Sequence, residues 1–380
     1  MSRAAWARAL VRERIAPKLL SHLEADRSGI PLYSENGRWV ASAGNRWCDG
    51  FWPGILWLAW ALDGDPRLRR AAEAATGALR GRDRDAFANF DVGFLFCHSF
   101  ALGHRLTGIE SYRAAALAAS ERMLACVSPT AGLITLFARA PEDRSDPRAE
   151  HSLIDVLGAQ SLLWWADGED ARRRAAAVAA QQVRTAVARQ LRPDGSVWQQ
   201  LDFDRDSGDW IACGTRHGAH VAGCWARAQA WAVLGLLTAA EATGETALLR
   251  AGQAALDFFM ARLPESGPPP WDLGPGPLAP EAGDLSSLAI VAAALAKLDG
   301  WALAVAGRDA HLERCLETLE ASLAPPGEPG LLIGGSAYPR RGEGLAGATV
   351  WGDYFFLETL AHLTGGPGAV MGFPLRPAHR

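Results

Sequence analysis

Two aspartates lie in positions where a carboxyl group could transfer a proton. Asp91 stands in NFDVGF and Asp155 in HSLIDVLGAQSLLWW, each at the start of a predicted helix. Asp155 is flanked by Ile154 and Val156, and an unpaired carboxylate in apolar surroundings is costly to bury. Burial raises the pKa of a carboxyl group, so Asp155 is suited to deliver a proton near neutral pH. Helix capping is the simpler explanation for Asp91.

Aromatic and basic side chains are concentrated at a third helix start, in CWARAQAW (residues 224–231). Aromatic faces stack on sugar rings, and the guanidinium of Arg227 can pair with a carboxylate in planar geometry. The chain has fifteen tryptophans, which is more than core packing usually needs, because a buried indole N–H requires a partner. Together these residue types predict a site for a sugar acid. Core packing is the alternative for Trp231, and a structural ion pair is the alternative for Arg227.

Apolar helices alternate with amphipathic ones along the chain. Segments such as FWPGILWLAWAL and LSSLAIVAAALAKL are apolar all round, whereas those that follow them carry a charged face, as in PRLRRAAEAATGALR. Helices of the first kind are buried and helices of the second kind lie on the surface. Each pair is joined by a short turn for which we predict a left-handed glycine C-cap. The turn glycines are Gly64, Gly108, Gly168, Gly244, Gly307 and Gly365.

Six such pairs result if residues 6–23 supply the last outer helix. The ring then closes, and the fold class is predicted as all-α, an (α/α)6 barrel forming one domain over residues 1–380. A string of separate helical bundles is the alternative. Long glycine- and proline-rich loops lead into the inner helices and should gather at one end, with short strands in GLITLFAR and SVWQQLDFD. The inner helix N-termini face this end and favour an anionic ligand.

Composition excludes several classes of partner. The formal net charge is −4 without a basic block, which argues against nucleic acid. No apolar run reaches the roughly 20 residues that span a bilayer, and the N-terminal segment is predicted to be an amphipathic helix and not a signal peptide. Six scattered cysteines favour free thiols in the cytoplasm.

We expect no cofactor or metal. A zinc loop of Cys213, His217, His220 and Cys224 is an alternative, but its spacing fits no common zinc pattern.

Six segments occur in order between about residues 40 and 365: WCDGFWPGILWLAW, FDVGFLF, LIDVLGAQSLLWWA, CWARAQAWAVLG, PPWDLGPG with GDLSSLAI, and WGDYFFLETL. In combination they resemble the unsaturated glucuronyl hydrolases, and the related unsaturated rhamnogalacturonyl hydrolases share the barrel and the acid pair. The resemblance implies a glycoside hydrolase whose substrate is an oligosaccharide left by a polysaccharide lyase. Such enzymes hydrate the C4=C5 double bond of the terminal uronic acid and do not displace at the anomeric carbon.

The resemblance also implies roles for individual residues. Asp155 matches the family's general acid/base, which protonates C4 and activates the water that attacks C5. Asp91 matches the second carboxylate, which orients the ring and assists. The residues predicted to bind the sugar are Trp47, Phe51, Phe90, Arg216, His217, Trp225, Arg227, Gln229 and Trp231.

The chain departs from the family's pattern in three places, and in one of them Phe137 stands before the second acid where the family carries a tryptophan. Phe90 precedes Asp91 where family members usually carry histidine, and Arg216 with His217 stands where they carry His-Gln. Either His217 takes over the role of that histidine from a shifted position, or Arg216 replaces it as a contact to a carboxylate or to the leaving sugar. The alternative function is therefore an altered relative that binds sugar acids. A sugar epimerase on the same barrel would require inner-helix histidines, for which His98 and His104 are poorly placed.

Overall fold

In this computed structural model, the described residues are 2–25, 29–44, 46–85, 89–136, 149–169, 174–274, 283–298 and 304–365. Among them the helices follow one another in twelve segments, even-numbered ones inside and odd-numbered ones outside. In chain order these are α1 (Arg3–Leu10, Val11–Ile15 and Ala16–Glu24), α2 (Phe51–Asp63), α3 (Pro66–Ala78), α4 (Val92–Phe96, Cys97–Ala101 and Leu102–Thr107), α5 (Glu110–Leu124), α6 (Val156–Ala159 and Ser161–Glu169), α7 (Arg174–Arg189), α8 (Ala226–Thr243), α9 (Thr246–Met260), α10 (Leu285–Lys297), α11 (Arg308–Ala321) and α12 (Val350–Thr364).

The inner helices are buried on every side, as their apolar sequences predict. All thirteen residues of α10 are buried, whereas the outer helix α3 buries only Leu68, Ala72 and Thr76 along one stripe. The ring closes because α12 packs against both α10 and α2. The predicted (α/α)6 barrel is therefore confirmed, and one continuous hydrophobic cluster joins its two layers.

Helix α1 is the outer helix that pairs with α12, and it also lies against α11. Arg3 Nε donates to Glu313 Oε2 of α11 at 2.9 Å, Trp6 Nε1 donates to Glu320 Oε1 of α11 at 3.0 Å, and Arg8 Nη2 donates to the carbonyl of Thr364 at 2.7 Å. The N-terminal helix thus completes the outer layer, as expected. None of the described helices has the length and apolar character needed to cross a membrane.

Four of the six predicted glycine C-caps form. Gly64, Gly108, Gly244 and Gly365 have positive φ angles at the ends of α2, α4, α8 and α12. The prediction is wrong for the other two. Gly168 continues the helix α6, and Gly307, although left-handed at φ 69°, stands before α11 and caps its N-terminus.

Two small antiparallel sheets lie in the loops. Strands β1 (Ile30–Glu35) and β2 (Arg38–Ser42) form a hairpin, and β3 (Ala149–Leu153), β4 (Gln200–Asp204) and β5 (Trp210–Gly214) form a sheet in the order β3-β4-β5. The strand predicted in SVWQQLDFD is β4. The strand predicted in GLITLFAR is reduced, among the described residues, to a single bridge between Val127 and Ile134.

Strand β3 corrects the predicted start of the third inner helix, which the sequence pattern puts at Ser152. Residues 149–153 instead pair with β4, with His151 opposite Asp202 and Leu153 opposite Gln200. Cross-strand hydrogen bonding outweighs helix propensity here, and the helix begins at Val156. The correction matters because β3 leads directly into Asp155.

Candidate active site

An open cavity of about 720 Å³ lies where the inner helices begin. Asp91 and Asp155 both line it, although 64 residues separate them in the chain. Asp91 immediately precedes α4, and Asp155 immediately precedes α6. The two carboxyl groups are thus delivered to one space by the starts of neighbouring inner helices.

Close helix packing makes this arrangement possible. A Cβ atom on Gly93 of α4 would lie 2.3 Å from the carbonyl oxygen of Ala159 in α6, and one on Gly158 of α6 would lie 2.6 Å from the Trp231 ring. Distances this short are repulsive, so only glycine permits the observed approach of α4 to α6 at Gly93 and of α6 to α8 at Gly158. The glycines therefore control how near the two aspartates come.

Burial raises the pKa of Asp91 to about 7. A side-chain hydrogen bond with Asn89 acts in the opposite direction, and the nearby charge of Asp155 raises the pKa further. The Asn89 Oδ1 atom also accepts from the backbone N–H of Asp91 at 2.7 Å, which holds the Asn89 side chain against the Asp91 backbone. Asp91 therefore binds its proton more firmly than an exposed carboxyl group does.

Burial also raises the pKa of Asp155, to about 6. Here the opposing influences are stronger: Gln199 donates from Nε2 to Asp155 Oδ2 at 3.3 Å, and the charges of Arg227 and Arg216 favour the carboxylate. A carboxyl group with this pKa exchanges a proton readily in mildly acidic solution.

The β3-β4-β5 sheet and the residues at its ends form the part of the cavity wall next to Asp155. Residue 199 precedes β4, and residues 215–217 follow β5. Gln199 Oε1 accepts from Thr215 Oγ1 at 3.2 Å and from the backbone N–H groups of Arg216 and His217 at 2.9 and 3.0 Å. One buried amide thus joins the loop of Arg216 and His217 to Asp155.

The aromatic part of the cavity wall differs from the rest in chemistry. It consists of Trp47, Phe90, Phe94, Trp225 and Tyr338, and His217 packs on Trp225 with ring centroids 4.8 Å apart. Burial, with the charges of Arg227 and Arg216, lowers the pKa of His217 to about 3. A neutral imidazole beside indole and phenol rings suits the flat face of an unsaturated sugar.

Arg227 lines the cavity but is held firmly by the protein. Its Nε donates to Asp284 Oδ2 at 3.1 Å, and its Nη2 donates to the carbonyls of Ser336 and Ala337 at 2.7 and 3.2 Å. The guanidinium also stacks on the Trp225 and Trp351 rings, at 4.8 and 4.7 Å. The structural ion pair foreseen for Arg227 is present, and its charge still acts on Asp155.

Three more arginines make the mouth of the cavity positive. Arg216, Arg340 and Arg341 line it together with Arg227, so four guanidinium groups face two carboxyl groups. Arg340 Nη1 donates to the carbonyl of Arg216 at 2.9 Å, which joins the two loops that carry these side chains. Such a surface favours an anionic ligand.

Three of the residues predicted to bind sugar are absent from the cavity wall. Phe51 is fully buried and stacks on His98 at 4.6 Å, and Trp231 packs against Phe94 at 5.0 Å. Gln229 donates to the carbonyls of Gly195 and Ala255, at 2.8 and 2.9 Å. In the structure these three side chains are buried in the core and do not line this cavity.

The tryptophans as a class are also mainly structural. Trp57, Trp164, Trp231 and Trp351 are among the largest fully buried side chains, and of the described tryptophans only Trp47 and Trp225 line the cavity. The excess of tryptophan therefore reflects mostly the wide interior between the two helix layers.

Sequence reasoning missed several residues of the site. Asn89, Gln199, Gln200 and Tyr338 are polar contributors that carried no motif. Asn89 could have been noticed, since it stands two residues before Asp91. Gln199 could not, because its partners are 16 to 44 residues away and meet only in the folded chain.

The zinc alternative is not supported. Among the described residues no group of three or more metal-binding side chains is found. Cys213 Sγ donates to the carbonyl of Arg189 and the buried Cys224 Sγ donates to Gln229 Oε1. The epimerase alternative fails similarly, because His98 is buried in an aromatic cluster and His104 Nδ1 contacts the carbonyl of Ile109, both away from the cavity.

Comparisons with known proteins agree with the fold and with the motifs. The chain is 29% identical to the unsaturated glucuronyl hydrolase of Bacillus sp. strain GL1 over 347 aligned residues, and the alignment covers 87% of this chain and 89% of that relative. It is 27% identical over 337 residues to the unsaturated chondroitin disaccharide hydrolase of Streptococcus pyogenes serotype M1, covering 86% and 83%. No protein-family model matches the chain.

A solved structure extends this similarity. The crystal structure of the Bacillus sp. GL1 unsaturated glucuronyl hydrolase has a TM-score of 0.84 with this chain at 28% identity, and the match covers 96% of this chain and 98% of that one. The resemblance to the unsaturated glucuronyl hydrolases is thereby confirmed in sequence and in fold.

Proposed function

We propose that this chain, an unsaturated glucuronyl hydrolase relative in sequence and in fold, is a glycoside hydrolase that removes a terminal 4,5-unsaturated uronic acid from lyase-generated oligosaccharides. The observation that carries the proposal is the shared cavity of Asp91 and Asp155, two carboxyl groups with raised pKa values. One group of this kind can give a proton to carbon and take one from water, which is what hydration of an enol ether requires.

In the proposed reaction, protonated Asp155 transfers its proton to C4 of the double bond. Positive charge develops at C5 and the ring oxygen, and the Asp155 carboxylate then accepts a proton from water as the water oxygen bonds to C5. The acid form of Asp155 is regenerated and one water has been added. The product is a hemiketal at C5, which opens by breaking its bond to the ring oxygen. C1 then becomes a hemiacetal carbon and releases the saturated sugar.

The remaining residues have binding roles in this proposal. Asp91, whose pKa is about 7, donates a hydrogen bond to a ring hydroxyl or accepts one from it, and thereby orients the sugar. Trp225 and Trp47 stack on the flattened ring. Arg216 and Arg341 at the mouth pair with the uronate carboxylate or with an acidic group on the next sugar. Phe90 adds an apolar side chain to the cavity wall next to Asp91, at the position where the family usually carries histidine.

The direct test follows loss of the ultraviolet absorbance of the C4=C5 bond. Lyase products of chondroitin, hyaluronan, heparin, alginate, gellan and pectin would be tested, together with an unsaturated rhamnogalacturonan product. At least one should lose absorbance in step with release of a reducing sugar. The matched saturated oligosaccharides should remain intact, since they offer no double bond to protonate. Binding of an unsaturated product without any loss of absorbance would favour the alternative of a sugar-acid-binding relative.

We also propose that the protein functions in the cytoplasm on a small-molecule oligosaccharide. The support is that all six cysteines are unpaired and five of them are buried, so none is arranged for an oxidising compartment. Fractionation of cells that express the chain would test this location, and recovery outside the cytoplasm would contradict it.

A further inference from the structure

Gln199 holds a position between the candidate acid and a cavity loop. It is 1% exposed, and its backbone carbonyl accepts from the N–H of Ile154 at 2.8 Å, one residue before Asp155. The side chain then reaches Asp155 Oδ2 through Nε2 at 3.3 Å. Gln199 therefore touches the Asp155 segment through both its backbone and its side chain.

The orientation of the amide is determined by its other partners. Gln199 Oε1 receives three donors, which are Thr215 Oγ1 and the backbone N–H groups of Arg216 and His217. A rotated amide would direct its NH₂ group against two backbone N–H groups, so the oxygen must face the loop. The NH₂ group is consequently directed at Asp155, where it favours the charged form of the carboxyl group.

We propose that Gln199 is a positioning residue that couples the Arg216–His217 loop to the protonation of Asp155, an inference that rests on the proposed function. When a sugar presses on Arg216 or His217, the displacement passes through Gln199 Oε1 and alters the hydrogen bond that Nε2 gives to Asp155. Substrate contact at the loop thus changes how readily the acid releases its proton.

The test compares pH profiles of kcat/KM for three variants. Gln199→Glu keeps an oxygen acceptor for the loop but places a second carboxyl group beside Asp155, so the pair retains a proton to higher pH. We expect the pH above which activity falls to rise by about one unit, with KM little changed. Gln199→Met removes both contacts. In this variant the pH above which activity falls should rise by less than in Gln199→Glu, whereas KM should increase severalfold.

Gln182→Glu is the matched control. Gln182 is 2% exposed, accepts from the N–H of Ile134 at 2.9 Å and donates to Ser152 Oγ at 2.9 Å, but it does not line the cavity. The Gln182→Glu substitution should lower the melting temperature and leave unchanged the pH above which activity falls. If the two Gln199 variants behave like this control, Gln199 is merely structural and the proposal is overturned.

A second measurement needs neither a Gln199 variant nor activity. In the wild-type protein labelled with ¹⁵N-glutamine, one side-chain amide should titrate with the pKa of Asp155, and this titration should vanish in Asp155→Asn. The absence of any such amide overturns the coupling even if the enzyme is active. Its presence in a protein that consumes no unsaturated product would keep the coupling and reject the proposed reaction.

Discussion

At the scale of single residues, Asp91 and Asp155 differ in the charges around them. Both are partly buried, but Asp155 has Gln199, Arg227 and Arg216 to favour its carboxylate, whereas Asp91 experiences the repulsion of Asp155. Burial raises both pKa values, to about 7 and about 6, so both carboxyl groups titrate in mildly acidic to neutral solution. This is the range in which a group that both donates and accepts a proton works best.

Replacement of Asp155 should decrease the activity of the protein and increase its stability at high pH. Asp155→Asn removes the proton donor, so loss of ultraviolet absorbance should slow by at least about a thousandfold, consistent with loss of acid–base catalysis. The folded-state pKa of about 6 lies above the usual unfolded value near 3.9. The group therefore stabilises the fold fully only below about pH 4, and this contribution is lost as the pH rises through about 6.

The melting temperature of Asp155→Asn should consequently exceed that of the wild type by roughly 3 °C at pH 8, for a gain of about 2 kcal/mol. At pH 4 the difference should disappear, because the wild-type carboxyl group is then protonated when folded. Scanning calorimetry at the two pH values measures both. An equal difference at pH 4 and pH 8 would mean that Asp155 does not carry the raised pKa.

At the scale of elements, the geometry of the site depends on how closely α4 and α6 pack. The two helices approach so closely at Gly93 that a methyl group would collide with the backbone of Ala159. The sequence predicts the inner helices well, because their apolar runs are long and their turns carry glycine. It does not predict strand β3 or the contacts of Gln199, since these depend on pairing between segments that are distant in the chain.

Gly93→Ala should therefore separate the two carboxyl groups. We expect kcat to fall by roughly ten- to a hundredfold and the free energy of unfolding to drop by about 2 kcal/mol, because the contact is with rigid backbone. Gly77→Ala is the control: this glycine lies in the outer helix α3 with no atom near its missing Cβ. It should gain up to about 1 kcal/mol. Denaturant unfolding measures the free energy of unfolding of the two variants, and steady-state kinetics measure their kcat.

At the scale of the whole molecule, charge is distributed unevenly. The formal net charge is −4, yet the cavity carries Arg216, Arg227, Arg340 and Arg341. An anionic oligosaccharide is thus repelled weakly by the surface as a whole and attracted at one place. Composition predicts the first property but not the second, because the arginines come together only when two separate loops meet the start of α8 in the folded chain.

The rate of capture should accordingly depend on salt. We expect kcat/KM to fall severalfold between 0.02 and about 0.5 M sodium chloride, as the screening length shrinks below about 5 Å. In Arg341→Ala this dependence should be shallower, whereas Arg250→Ala, on the exposed face of α9, should match the wild type. Identical salt dependence in all three proteins would show that Arg341 takes no part in steering.

The position of α1 has a consequence for biosynthesis. This helix packs against α11 and α12, whose contacting residues follow it in the chain by 310 to 356 positions, and the backbone N–H of Ser34 in β1 likewise donates to the carbonyl of Ala348. Its contacts with α2 can form early, because Val11–Ile15 packs against Phe51–Asp63, but its contacts with α11 must wait until about 310 further residues have been translated. Chaperones that shield nascent chains should therefore bind the side of this helix that faces α11 until α11 has been synthesised.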